Sequence, residues 1–157
     1  MAGKVDPRVA AEELALVLST HGMQRMTARV LTALVFSEQS TMTMGDLAEQ
    51  LQASSGGISG ALKMLASVGV VERVPAPGSR RDHYRLRDDA WAVQYTKDNE
   101  ALSGVIAAAE AGIAATDDGT LARQRITQMR DFYLFLMNEI PALLDRWRAR
   151  SHGGASA

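Results

Sequence analysis

Apolar positions recur at helical spacing over much of this chain. Residues 8–20 (RVAAEELALVLST) place Ala10, Leu14, Val17 and Leu18 on one stripe, which predicts an amphipathic helix. A second helix is expected from about Gln24 to Phe36, with Met23, Met26, Val30, Leu31, Leu34 and Val35 along its apolar side. Ser37 to Thr41 reads as a turn. Thr43 and Asp46 then form the pattern Ser/Thr-x-x-Asp/Glu ahead of an apolar pair, a helix-start signal for a short helix over about Met44–Leu51. Gln52-Ala53-Ser54 is a tight connection. Ser54 is a good N-cap for the next helix, Ser55 to about Val68, and Gly69 stands where a glycine ends a helix.

After Gly69 the period changes. Val70, Val71, Arg73 and Val74 read as strand, Pro75-Ala76-Pro77-Gly78-Ser79 as a turn, and Asp82 to Arg87 as a second strand with Tyr84 and Leu86 on one face. Two longer helices follow, about Gln94–Ala115 and about Leu121–Arg150, separated at Asp117-Asp118-Gly119. Pro141 lies inside the last one and predicts a kink or short break near Met137–Ile140. Residues 151–157 are expected to be a disordered, frayed tail.

Composition narrows the class. The chain has 157 residues, 46% of them hydrophobic, enough for one compact globular unit. It has no cysteine, which excludes disulfides, thiolate metal ligands and a cysteine nucleophile. No apolar run approaches the ~18 residues of a membrane span, and the N-terminus lacks a signal-peptide core, so a cytoplasmic location is expected. The net charge of −1 conceals a segregation: residues 54–87 carry six Lys/Arg against two Asp/Glu, whereas both flanks are acidic. A local basic patch matters more to a DNA backbone than total charge.

The order short helix, tight turn, helix, β-hairpin is that of a winged helix-turn-helix. The second helix of that unit presents one face to a major groove. At about 100° per residue with Ile58 at zero, Leu62 and Leu65 fall within about 40° of it, while Ser59, Lys63, Gly56, Ser67 and Gly60 fall between about 100° and 200°. The outward face is small, polar and singly basic, which permits close approach to base edges and phosphates. SSGGISG could instead be a flexible loop, but the cap, the apolar spacing and Gly69 all agree on a helix. On the hairpin tip, Arg80 and Arg81 can reach phosphates or a narrow minor groove, with Arg85 and Arg87 extending the charge along the strand.

The segment Thr43 to Arg87, with ISGALKMLASVGVVERV followed by PGSRRDHYRL, resembles the MarR class of winged-helix repressors, and more closely its GbsR-type branch in actinobacteria. FYLFLMNEIPALLDRWRAR is similar to the last helix of that branch. The resemblance implies a homodimer paired through its terminal helices, with Ser55, Gly56, Ser59, Gly60 and Lys63 facing the groove and Arg80 and Arg81 on the wing. With the capping Ser54, these are the candidate DNA-binding residues. Related repressors often carry a basic residue at the position of Gly60.

Other chemistry is sparse. His21, His83 and His152 have no partner at ligand spacing, and no catalytic or nucleotide-binding pattern is present, so neither enzyme activity, a metal nor a cofactor is expected. Met23, Met26 and Trp91 lie near helix junctions where such repressors bind small effectors, although methionine mostly fills core gaps. The expected fold is mainly α with a small β-hairpin wing. Residues 24–87 would form the DNA-binding domain, and 8–20 together with 94–150 the dimerisation region. The expected function is sequence-specific binding of double-stranded DNA, as a repressor on a pseudo-palindromic operator with a possible small-molecule effector. The rival reading is a winged-helix module that binds proteins.

Overall fold

A computed structural model describes residues 6–153. The chain forms two compact units, Met1–Trp91 and Ala92–Ala157. The first holds helices α1 (Pro7–Thr20), α2 (Arg25–Val35), α3 (Met44–Leu51) and α4 (Ser55–Ser67), with strands β1 (Met42–Thr43), β2 (Val71–Val74) and β3 (His83–Leu86). Helix α5 (Ala90–Ala114) crosses the boundary, and α6 (Leu121–Gly153) lies within the second unit. Whereas the sequence reading grouped 8–20 with the late helices, α1 belongs to the first unit, packed on α2.

The first unit is built on one core. Val30, Leu31 and Leu34 of α2 meet Leu47 and Leu51 of α3, Ile58, Leu62 and Leu65 of α4, Met42 and Val71 from the sheet, and Val70 just before β2. Tyr84 and Leu86 pack on this core from β3, on the shared face expected of alternate strand positions. The sheet has three antiparallel strands in the order β1-β3-β2. The hairpin was predicted and β1 was not: Met42 pairs with Tyr84 and Thr43 with His83, inside a stretch too short to show a period.

Helix α1 corrects the expected stripe. Ala11 and Ala15 are its buried residues, while Leu14 and Val17 are exposed. Small side chains let the two helix backbones approach, so the contact face of α1 is made of Ala11 and Ala15, with Leu18 of the expected stripe packed partly buried against the core. The pairing is fastened by Arg29, whose Nε donates to both carboxylate oxygens of Glu12 at 2.9 and 3.0 Å. Its Nη2 donates to Glu12 at 2.7 Å and to the carbonyl of Leu51 at 3.1 Å, joining α1, α2 and the end of α3. The hydrogen bond from Arg29 holds the Glu12 carboxyl below its ordinary value.

In the second unit, Arg123 Nη1 donates to the carbonyls of Ile113 and Thr116 at 2.7 Å each, satisfying the end of α5. Gly112 lies against Ile126, where an added Cβ would sit 3.5 Å from Ile126 Cδ1. The break expected near Met137–Ile140 is absent: α6 continues through Pro141. Pro141 is exposed, so the carbonyl it leaves without a helical donor is accessible to water. The helix also runs on through Ser151 to Gly153, so part of the expected tail is helical and residues 154–157 lie outside the described residues.

The start of α3 has the anticipated capping box. Thr43 N donates to Asp46 Oδ2 at 2.8 Å and Asp46 N donates to Thr43 Oγ1 at 3.1 Å. Hydrogen bonding from Thr43, its backbone amide first, holds the Asp46 carboxyl below its ordinary value of 3.8. Replacing Thr43 with Ala should lower folding stability by about 1 kcal/mol, read from the urea midpoint. Because the folded carboxyl titrates lower than the unfolded one, its contribution is fully present above pH 3.8 and fades as pH falls through the folded value. Asp46→Asn should therefore be less stable than the parent at pH 7, with the gap narrowing on acidification. A constant gap down to pH 2 would show that the charge contributes nothing.

Candidate nucleic-acid interface

The turn between α3 and α4 is made by Gln52, a non-glycine residue at φ 49°. The left-handed conformation ends α3, and Ala53 N donates to the carbonyl of Ala48 at 3.0 Å. Ser54 then caps α4, accepting from Gly57 N at 3.2 Å. A Cβ on Gly57 would sit 3.3 Å from Ser54 Oγ and 3.8 Å from Met26 Cγ, a tight contact in which the Ser54 hydroxyl would have to give by a few tenths of an ångström. At the far end Gly69 adopts φ 78°, and Val70 N donates to the carbonyl of Leu65 at 3.0 Å. Leu65 and Val70 are both buried, the hydrophobic contact that accompanies this kind of helix end.

The faces of α4 follow the helical wheel. Ile58, Leu62 and Leu65 are buried, and Ser54, Ser55, Gly56, Ser59, Gly60, Lys63 and Ser67 are exposed. Among the described residues, nothing lies within 4 Å of a Cβ built on Gly56 or Gly60. Unlike Gly57, where an added methyl would press on Ser54, these two glycines meet no neighbour, although each costs a helix roughly 1 kcal/mol relative to Ala.

The wing is the connection between β2 and β3. Ser79 N donates to the carbonyl of Ala76 at 3.0 Å, with Pro77 and Gly78 (φ 83°) at the centre of the turn. Proline first and a positive-φ glycine second is the arrangement of a type II turn. Arg80 and Arg81 follow it, both exposed. Ser79 Oγ accepts from Arg81 N at 3.1 Å and lies 3.1 Å from His83 Nε2, while His83 Nδ1 lies 3.0 Å from Thr41 Oγ1. His83 therefore ties the wing turn to the residue preceding β1. Metal-ligand spacing does not reveal this role of His83, since its partners are hydroxyls, Ser79 four residues before it and Thr41 distant in sequence.

The basic segment is partly neutralised within the fold. Arg85 pairs with Glu72 at 2.8 Å, and Arg73 with Asp82 and Arg87 with Asp89 at 3.4 Å each. Arg85 and Arg87 thus do not extend a free charge along the strand as anticipated. Lys63, Arg80 and Arg81 form no ion pair among the described residues. Arg81 Nη1 reaches the start of α3, 3.9 Å from where a Cβ on Gly45 would be.

The three candidate effector residues differ in burial. Met23 and Met26 pack partly buried against the core, and Trp91 is half exposed. A cleft of about 340 Å³ in the first unit is lined instead by residues that include Pro7, Ala11, Phe36, Met42 and Gln50.

A capped α3–turn–α4 pair followed by a three-stranded sheet with a basic wing is a winged helix-turn-helix. The MarR family model matches residues 21–82, and a model of MmpR5-like MarR family transcriptional regulators matches residues 89–150. The chain belongs to the MarR family of winged-helix transcriptional regulators. It is 29% identical over 152 residues to the HTH-type transcriptional regulator MmpR5 of Mycobacterium tuberculosis, covering 96% of this chain and 92% of that protein. The crystal structure of a transcriptional regulator superposes with a TM-score of 0.81 at 29% identity, covering 92% of this chain and 99% of the other.

The glycines of α4 should separate by substitution. Gly56→Ala and Gly60→Ala should each raise stability by up to about 1 kcal/mol, as helix propensity gains without a clash. Gly57→Ala should gain less than either, because the added methyl crowds the Ser54 hydroxyl at 3.3 Å and offsets part of the propensity gain. Urea midpoints of the three variants check this; equal gains at all three positions would show that the cap tolerates the methyl.

Proposed function

We propose that this protein is a homodimer that binds double-stranded DNA specifically, with α4 in the major groove and the wing on the adjoining backbone. The carrying observation is the exposed face of α4. Two glycines that no packing requires sit among Ser55, Ser59 and Lys63, giving a surface without bulk that a groove can approach closely. Ser54 Oγ accepts the capping bond, so its hydroxyl hydrogen is free to donate to a phosphate. Lys63, Arg80 and Arg81 supply charge that the fold does not neutralise.

The dimer rests on apolar surface. Phe132, Phe135, Leu143 and Trp147 of α6 in the second unit are each more than half exposed, and in the first unit so are Leu16 and Val17 of α1. So many exposed large apolar groups mark an interaction surface. A two-fold dimer would read a pseudo-palindromic operator and act as a repressor by occluding polymerase, in the cytoplasm where the promoter lies. Placement in the GbsR-type branch rests on the hairpin and last-helix residues quoted above. Light scattering at micromolar concentration should give twice the chain mass; a monomer would remove the two-fold logic of the operator.

The DNA contacts are tested by mobility-shift titration across salt concentrations. Arg80→Ala and Arg81→Ala should weaken binding to every duplex, each lowering the slope of log K against log salt by about 0.9. Gly60→Leu should keep or slightly raise the melting temperature, since leucine is the better helix former, yet abolish specific binding by collision with the groove. A Gly60→Leu protein that binds as tightly as the parent would remove α4 from the groove, whereas a parent that binds no duplex specifically would favour the protein-binding module.

A further inference from the structure

The outward side of α4 carries two rows at i, i+4 spacing. One is polar: Ser59, Lys63 and Ser67. The other is Gly56, Gly60 and Met64. Both glycines open onto empty space among the described residues, and the row ends in Met64, which is 55% exposed. The other large apolar side chains of this helix, Ile58, Leu62 and Leu65, are all buried. Met64 therefore leaves a flexible apolar tip on the side of the helix that has no part in the core. Its sulfur is 3.8 Å from Ser67 Oγ, whose hydroxyl donates to the Met64 carbonyl at 2.7 Å.

The chemistry of this face limits what it can distinguish. It carries no Arg, Asn or Gln, the side chains that recognise purines through two hydrogen bonds. Serine hydroxyls donate and accept alike and discriminate little between bases. Lys63 can serve a guanine or a phosphate. In the major groove the apolar feature that marks a base pair is the C5-methyl of thymine, which makes apolar contacts with protein side chains. A methionine is long and adaptable enough to meet such a methyl beyond a stretch of helix kept flat by glycines. We propose that Met64 is a specificity-determining residue that reads a thymine methyl in each half-site. The proposal rests on the reading that α4 enters the major groove.

Bound duplexes are first selected from random DNA with the full-length protein. Each thymine of the recovered half-site is then replaced in turn by deoxyuridine, which deletes the C5-methyl alone. At one position in the half-site the replacement should weaken binding of the parent about fourfold, equivalent to ~0.8 kcal/mol for one methyl-sized apolar group. Met64→Ala should melt like the parent, since the side chain is exposed, and should bind the thymine and deoxyuridine duplexes equally at that position. Met64→Leu should restore the discrimination. If the parent ignores every replacement, or Met64→Ala discriminates as the parent does, the proposal is overturned while DNA binding stands. If no duplex is selected at all, the DNA-binding reading fails and the proposal with it.

Discussion

The arrangement depends on α4 being helical although its composition resists it. Three glycines and three serines in thirteen residues make a weak helix former, and a segment this short is marginal on its own. What holds it is the burial of Ile58, Leu62 and Leu65 against α2 and α3, together with a satisfied cap at each end. Burying three such side chains contributes several times ~1.5 kcal/mol, enough to offset roughly 1 kcal/mol for each glycine. The inner face supplies the stability, which leaves the outer face free to be flat. A helix with bulky residues all round would be easier to form and useless for close approach.

The second unit of construction is the link between wing and sheet. A two-stranded ribbon is marginal in water, and β1 converts the hairpin into a three-stranded sheet. That addition also brings Thr41 to His83, and His83 to Ser79 beneath Arg81. The same β1 ends in Thr43, the cap of α3. Wing orientation and the start of the helix-turn-helix are thus anchored within three residues of one another, Thr41 to Thr43. A change at either should be felt by both.

Much of this was legible in the sequence, for identifiable reasons. The capping box, the Ser54 cap, Gly69 and the buried stripe of α4 are local signals, each set by residues within one or two turns of one another. The features that escaped are those in which distant partners decide. Strand β1 is two residues long and exists because β3 offers it an edge. The face of α1 is chosen by how closely Ala11 and Ala15 approach α2, so of the large residues in the expected stripe Leu18 packs on the core while Leu14 and Val17 are exposed. Pro141 removes one helical hydrogen bond at an exposed position, a loss a 33-residue helix can absorb. The outward residues of α4 were legible because burial of the opposite side leaves them no other place. The exposure of Met64 is equally derivable from the wheel, where it falls on the side opposite Ile58, Leu62 and Leu65.

Charge shows why counting is not enough. The segment 54–87 is strongly basic in sequence, yet much of that excess is spent within the fold: Arg73, Arg85 and Arg87 each lie against a carboxylate. Exposed pairs of this kind contribute little stability, but they lower the field that three arginines would otherwise project. Of the six cations of this segment, Lys63 on the helix and Arg80 and Arg81 on the wing form no ion pair among the described residues, and they belong to the two elements a winged helix brings to DNA. The pairing of the strand arginines therefore concentrates attraction at the helix and the wing tip rather than spreading it along the hairpin. On a chain of net charge −1, that concentration rather than the total would orient the protein on a duplex.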